Sequence, residues 1–186
     1  MVELLCVTAL LLVMAALYFG KSSGARQIEL QGKCSQNLEQ IYVSLQLYAN
    51  DAHGRAPLVP EARTPAEALA LLVPRYTSET RSFICPGAKT PSDLPVDRFA
   101  RQQISYAFYM GQWMTNTEGL LMTDQQVNAQ AKGPGQLVFS ADGKGRGNNH
   151  QSHGGNLLFT DGRVERIGPR TPQSMPIKPA VKLLNP

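Results

Sequence analysis

From Val2 to Phe19 the chain is apolar, with Glu3 as its one charged residue. Such a run of about 18 residues predicts a helix just long enough to span a bilayer core, for which about 20 residues are usual and about 17 the lower bound. Further on the pattern becomes amphipathic. Cys34, Leu38, Ile41, Leu45, Tyr48 and Ala52 recur at spacings of four and three, while Gln36, Glu39, Gln40 and Asn50 fall off that stripe. This predicts an amphipathic helix over 26–53. The intervening Gly20-Lys-Ser-Ser-Gly24 weakens a helix without ending it, because Gly costs only about 1 kcal/mol relative to Ala. One continuous helix from Val2 to Ala52 would be roughly 75 Å long. His53-Gly54 and Pro57 supply its stop.

The following elements are short. Thr64-Pro65-Ala66-Glu67 combines an N-cap, a proline at the first helical position and an acid three residues after the cap, ahead of the apolar run Ala68–Val73 closed by Pro74. Arg81–Cys85 and Gln103–Met110 read as strands. In the second of these Ile104, Tyr106, Phe108 and Met110 alternate with Ser105, Ala107 and Tyr109. The polar, Pro-containing stretch 86–101 between them reads as a surface loop. Gln136–Ala141 is a further strand. Asn156–Thr160 and Arg163–Ile167 flank Asp161-Gly162, the strongest hairpin signal in the chain. A two-residue type I′ turn there would set Phe159 opposite Val164. Residues 168–186 carry five prolines and no periodicity, and read as an irregular tail. The whole pattern predicts an α+β fold with an antiparallel sheet, divided into a transmembrane part (1–20), a globular domain (21–167) and the tail (168–186).

About 165 residues beyond the apolar run suit one domain of ordinary size, and 16 Gly and 13 Pro predict many turns. The net charge of +4 owes much to Arg163, Arg166, Arg170, Lys178 and Lys182. No aromatic residues are interleaved with them, so they read as a solvated basic tail and not as a nucleic-acid surface. Cysteine use bears on compartment. Cys6 lies within the apolar run. Neither Cys34 nor Cys85 has a second Cys or a His at metal-ligand spacing, which argues against a zinc site. A Cys34–Cys85 disulfide would close a loop of about 50 residues, contribute roughly 4 kcal/mol by chain entropy, and place the domain outside the cytoplasm; two buried free thiols are the alternative.

Candidate chemistry concentrates in 142–162. Asp142, His150, His153 and Asp161 could gather a divalent metal, calcium if oxygen ligands dominate and a transition metal if the histidines do. The alternative is a loop in which both aspartates make turn hydrogen bonds. The glycine-rich part lacks P-loop spacing. Ser152 lies between two histidines, yet adjacent loop positions do not form a triad, and no nucleophile elbow is present. Acids are too scattered for paired-carboxylate hydrolysis. The expectation is a non-enzymatic protein.

Three readings of the N-terminus compete. A cleaved secretory signal requires a basic segment before the apolar core, and no Lys or Arg precedes it here. A plain signal anchor leaves Glu3 unexplained, and Lys21, Arg26 and Lys33 would hold the rest of the chain in the cytoplasm by the positive-inside rule, against the compartment implied by a disulfide. The third is a pilin-type N-terminus, preceded by a basic leader in the unprocessed chain. Val2-Glu-Leu-Leu5 opening the apolar run, Cys34-Ser-Gln-Asn-Leu-Glu-Gln-Ile41, Leu45–Asp51 and Gly54-Arg-Ala-Pro57 resemble the type IV pilins and type II secretion pseudopilins. Cys85-Pro86, and Asn149-His150 through Gly154-Gly155 to Asp161-Gly162, are similar to a pseudopilin-like group of unknown function with a mid-chain Cys-Pro and a C-terminal His to Asp-Gly motif. The spacing differs: that group separates its His from Asp-Gly by nine residues, whereas His153 is separated by seven and His150 by ten.

The resemblance implies a long N-terminal helix, half in the membrane, packed on a small antiparallel sheet. It implies an inner-membrane, single-pass chain with an extracytoplasmic domain, whose partners are other pilin-like subunits and the secretion or pilus machinery. With two residues restored ahead of Met1, Glu3 takes the position whose carboxylate pairs with the amine of a neighbouring subunit. A reading of a different class is a monomeric membrane-anchored module that uses the Asp142–Asp161 loop for a metal or a glycan.

Overall fold

The computed structural model describes residues 2–19, 23–89, 94–115 and 118–186, and the side chains of these other than 15–19 and 23. Its elements are α1 (Val2–Phe19), α2 (Ser23–Asp51), α3 (Pro65–Leu69), β1 (Tyr106–Met110), β2 (Leu120–Asp124), β3 (Gly155–Phe159), β4 (Val164–Ile167) and β5 (Lys182–Leu184). The fold is α+β: an N-terminal helical region and a five-stranded antiparallel sheet of order β4-β3-β2-β1-β5. Among the described residues no helix is long and apolar enough to cross a membrane. The span expected over 2–19 extends into side chains outside the described set. The Lys21 flank and the continuity of the helix through 20–22 lie outside the described residues.

Helix α2 forms where the stripe predicts it. Of that stripe Cys34, Leu38, Ile41 and Leu45 are buried, whereas Tyr48 is half-buried and Ala52 falls just past the helix; α2 lies over β3, β4 and the segment around Phe83 with these four buried residues inward. They join Leu69, Leu72, Phe83, Phe99, Tyr106, Phe108 and Met110 in one core on that face of the sheet. Phe83 and Phe99 meet edge to face, with ring centroids 4.8 Å apart. Helix α3 starts at the predicted cap: Thr64 Oγ1 accepts the Glu67 N–H at 3.2 Å, and Glu67 Oε2 reaches back to the Arg63 N–H at 2.7 Å. That backbone bond is the main reason the Glu67 carboxyl titrates below its ordinary value.

The opposite sheet face is also covered. Val138, Phe139 and Met175 pack on Leu157 and Phe159, and Ile177 and Val181 lie against Ala107, Tyr109 and Leu183. All five residues of β1 are therefore buried, and not one face only as alternation suggested. The tail reading of 168–186 needs correction for the same reason: β5 pairs with β1, Phe108 opposite Leu184. Its basic side chains are partly used inside the fold. Lys182 Nζ donates to the Ala62 carbonyl at 2.7 Å and Arg170 Nη1 to the Gly135 carbonyl at 3.0 Å.

Two expected strands take other forms. Residues Thr80–Phe83 make a 3₁₀ turn, in which the Ser82 hydroxyl donates to the Glu79 carbonyl at 2.7 Å and Thr77 Oγ1 accepts the Glu79 N–H at 3.1 Å. Local hydroxyl bonds satisfy backbone groups that a strand would need in a ladder. Gln136–Ala141 contributes only an isolated bridge, Leu137 to Arg170; it buries Val138 and Phe139 as a lid instead of extending the sheet.

The β3–β4 hairpin forms, in a different register. Leu158 pairs with Val164, so Phe159 does not face Val164. Phe159 N–H donates to the Arg163 carbonyl at 2.9 Å and Gly162 N–H to the Phe159 carbonyl at 3.0 Å. Three residues thus turn the chain, with Gly162 in the left-handed region at φ 88°, the pattern of a type I turn followed by a glycine bulge. A Cβ on Gly162 would lie 2.5 Å from the Tyr42 ring of α2. Gly162→Ala is therefore expected to destabilise the domain by about 2–4 kcal/mol, combining backbone strain with overpacking. Urea denaturation checks this, and Gly145→Ala, at φ 67° with nothing within 4 Å of its Cβ, should show the smaller backbone part alone.

Candidate functional site

Helix α2, the turn after Phe83, the end of β2, the start of β3 and the 142–154 loop converge on one buried polar cluster. Cys34 and Cys85 are joined by a disulfide, which ties α2 to the segment ahead of β1. Asp124 closes β2 after the apolar run Leu120–Met122 and Thr123, and its side chain is fully buried, as is that of His150. His150 Nε2 lies 3.3 Å from Asp124 Oδ2 and 3.4 Å from Cys85 Sγ.

Asp124 is held on every side. Its Oδ2 accepts the Asn156 backbone N–H at 2.7 Å and the Asn156 side-chain amide at 2.9 Å. Its Oδ1 accepts the Asn149 amide at 3.3 Å, and the same amide donates to the Ser105 carbonyl at 2.9 Å. Asn156 also donates to the Gln31 carbonyl of α2 at 3.0 Å, and Asn37 of α2 donates to the Ile84 carbonyl at 2.9 Å and to the Tyr106 hydroxyl at 3.3 Å. The Tyr106 phenol titrates well above its usual range, chiefly because it is buried and then because Asp124 faces it. On the opposite sheet face burial likewise pushes Tyr109 up to about 12.

Local sequence explains how the loop closes on this cluster. Cys85-Pro86-Gly87-Ala88 makes a tight turn, the Ala88 N–H donating to the Cys85 carbonyl at 2.9 Å. Gly87 leaves the space His150 needs: a Cβ there would sit 2.3 Å from the Asn149 carbonyl oxygen and 2.9 Å from His150 Nδ1. That Nδ1 is buried with no hydrogen-bond partner.

The four loop residues expected to share a metal are used differently. Asp142 Oδ1 accepts the Ser140 hydroxyl and the Lys144 N–H, each at 2.9 Å, and the backbone bond to Lys144 is the main cause that lowers its pKa. Asp161 Oδ1 accepts the Arg163 N–H at 3.0 Å in the hairpin turn. His153 Nδ1 sits 3.2 Å from the His150 carbonyl oxygen. Among the described residues, the group whose ligand atoms approach closely enough to hold an ion contains His150 alone of the four, with Cys34, Cys85 and Asp124. Glu3 lies in the first turn of α1.

Asp124 and Asn156 were missed in the sequence, and Asn149 was noted only as the residue before His150 in the motif, without a role. Their signal is faint: an acid ending an apolar run, and amides beside a histidine and inside a strand. Comparison with known proteins adds no relative: no protein-family model matches the chain, and neither a curated protein nor a solved structure is detectably similar to it.

Proposed function

We propose that the chain is a non-enzymatic, pseudopilin-like subunit of a type II secretion or type IV pilus-like assembly, anchored by α1, with its sheet domain outside the cytoplasm. One observation carries the reading: α1 presents apolar side chains that the fold leaves uncovered. Val2, Leu4, Leu5, Leu10 and Leu12 are 64–74% exposed, whereas α2 buries its stripe in the core. An apolar face of that extent marks an interaction surface, and lipid together with the helices of neighbouring subunits would cover it on all sides. The disulfide supports an oxidising compartment. Glu3, at the head of α1, is then the group that pairs with a neighbour's terminal amine.

Glu3→Ala is expected to reduce co-assembly with partner pilins about tenfold, equivalent to about 1.4 kcal/mol for a lost ion pair at the membrane edge. Crosslinking of the membrane fraction measures it, and unchanged co-assembly would remove the role given to Glu3. A second reading, an anchored glycan-binding module, is favoured by a polar surface pocket of about 230 Å³ lined by Gln27, Lys89, Asp142, Asn148, Gln151 and Ser152. Amides and hydroxyls of this kind suit sugar hydroxyl groups. Glycan-array binding abolished by Asn148→Ala, with co-assembly intact, would favour that module.

A further inference from the structure

The buried cluster holds more ligand chemistry than a disulfide requires. Two sulfurs, an imidazole nitrogen and a carboxylate oxygen lie within 4.8 Å of one another, all on fully buried residues from four separate segments. Zinc favours such mixed sulfur, nitrogen and oxygen sets in a closed tetrahedron, with bonds of about 2.3 Å to sulfur and 2.0–2.2 Å to nitrogen and oxygen. Those bond lengths place nitrogen and oxygen about 3.4 Å apart, and sulfur and nitrogen about 3.6 Å apart. The corresponding separations here are 3.3 Å for His150 Nε2 to Asp124 Oδ2 and 3.4 Å for Cys85 Sγ to His150 Nε2. Two edges of a zinc tetrahedron are thus present with the sulfurs still bonded to each other.

We propose that reduction of the Cys34–Cys85 disulfide turns this cluster into a tetrahedral zinc site made of the two thiolates, His150 Nε2 and Asp124 Oδ2. A dithiol reductant supplies the two electrons and two protons that convert the disulfide to two thiols, and is itself oxidised to a cyclic disulfide. Zinc then displaces both thiol protons to solvent. His150 ligates as the neutral ring through Nε2, and its single proton resides on Nδ1, a nitrogen that has no hydrogen-bond partner among the described residues.

Part of a metal site's outer shell is in place, around the carboxylate and not around the histidine. A ligating carboxylate is itself hydrogen-bonded in such sites, and Asp124 accepts from the Asn156 N–H, the Asn156 amide and the Asn149 amide. Calcium does not fit, since it takes six to eight oxygen ligands. A surface depression is bordered by Pro86 and Gly87, next to Cys85, together with Gln27, Leu30 and Gln151. Because the ligands come from α2, the 85–88 turn, β2 and the 142–154 loop, zinc would replace the disulfide as the link between helix and sheet. This inference does not depend on the pilin-like reading.

The test uses the full chain in mild detergent, reduced with dithiothreitol without oxygen, freed of reductant and titrated with Co²⁺ and then Zn²⁺. The expected result is one Co²⁺ per reduced chain with the absorption of a tetrahedral thiolate complex, displaced by Zn²⁺, and no such absorption from the oxidised chain. Cys34→Ser with Cys85→Ser removes the signal. Asn156→Ala, which leaves all four ligands in place, lowers zinc affinity about 10- to 100-fold. His150→Gln changes the cobalt spectrum, and circular dichroism reports whether that variant is folded; should it fail to fold, the wild-type and Asn156→Ala titrations decide. Absence of a tetrahedral signal in the reduced wild-type chain overturns the proposal, whether the chain stays folded or not. Equal binding by the oxidised chain, or an unchanged affinity in Asn156→Ala, overturns it as well.

Discussion

Asp124→Ala is expected to cost about 3–5 kcal/mol, the range for removing one partner from a buried charged or hydrogen-bonded pair. The reason is what stays behind. The Asn156 N–H, the Asn156 amide, the Asn149 amide and His150 Nε2 all face this carboxylate, in a place that water does not reach because the residue is 0% exposed. A buried donor left without an acceptor costs about 1–3 kcal/mol, so the loss of two or three of them fills the range. Asp161→Ala is the matched control. That carboxylate also accepts a backbone N–H, from Arg163, but on an exposed turn where water can take its place, and its loss should stay within about 1 kcal/mol. Urea denaturation of the full chain in mild detergent compares the two. Equal losses would mean that the buried cluster is not a hub of the fold.

Removal of the cross-link has the second large effect. Cys34 and Cys85 stand 51 positions apart, and closing a loop of that size takes about 4 kcal/mol of entropy from the unfolded chain. Cys34→Ala with Cys85→Ala should therefore lower stability by about 2–5 kcal/mol and the melting midpoint by about 10 °C for a domain of this size. The reference is the oxidised wild-type chain, measured without reductant and with a chelator present, so that the cross-link is the one difference between the two. Combining these substitutions with Asp124→Ala should cost less than the sum, because His150 touches both Cys85 and Asp124 and the sites are coupled. Strict additivity would separate the disulfide from the polar cluster.

These expectations rest on residues of unequal visibility in the sequence. The stripe Cys34, Leu38, Ile41 and Leu45 was legible because a helix repeats every 3.6 residues and one side must be apolar to pack. The Thr64 cap was legible because orphan N–H groups at a helix start need a nearby oxygen. The Asp161-Gly162 turn was legible in kind but not in length. Both the two-residue and the three-residue turn accept Asp-Gly, and the Tyr42 ring beside Gly162 is one of the contacts that the longer turn must accommodate. β5 was hidden because a strand of three residues, Lys182–Leu184, is too short to show alternation, and it exists by pairing with β1. Arg81–Cys85 misled because a short apolar run carries no period of its own.

By itself the sequence determined the apolar N-terminal helix, the amphipathic helix after it, the cap at Thr64, the pairing of β3 with β4 and which two cysteines a disulfide would join, while the free-thiol alternative was excluded only by the structure. Each follows from a local repeat, a local turn or the presence of just two cysteines beyond the apolar run. The tertiary structure alone decided that His150 belongs with Asp124 and Cys85, residues 26 and 65 positions away along the chain, and not with Asp142 and Asp161 in its own segment. Ligand spacing in a sequence reports only neighbours on one turn or loop. Here the sheet order carries β2 beside β3 and the 85–88 turn against the 149–150 loop, and burial then forces each polar group to find its partner among whatever the fold has brought within 3–4 Å.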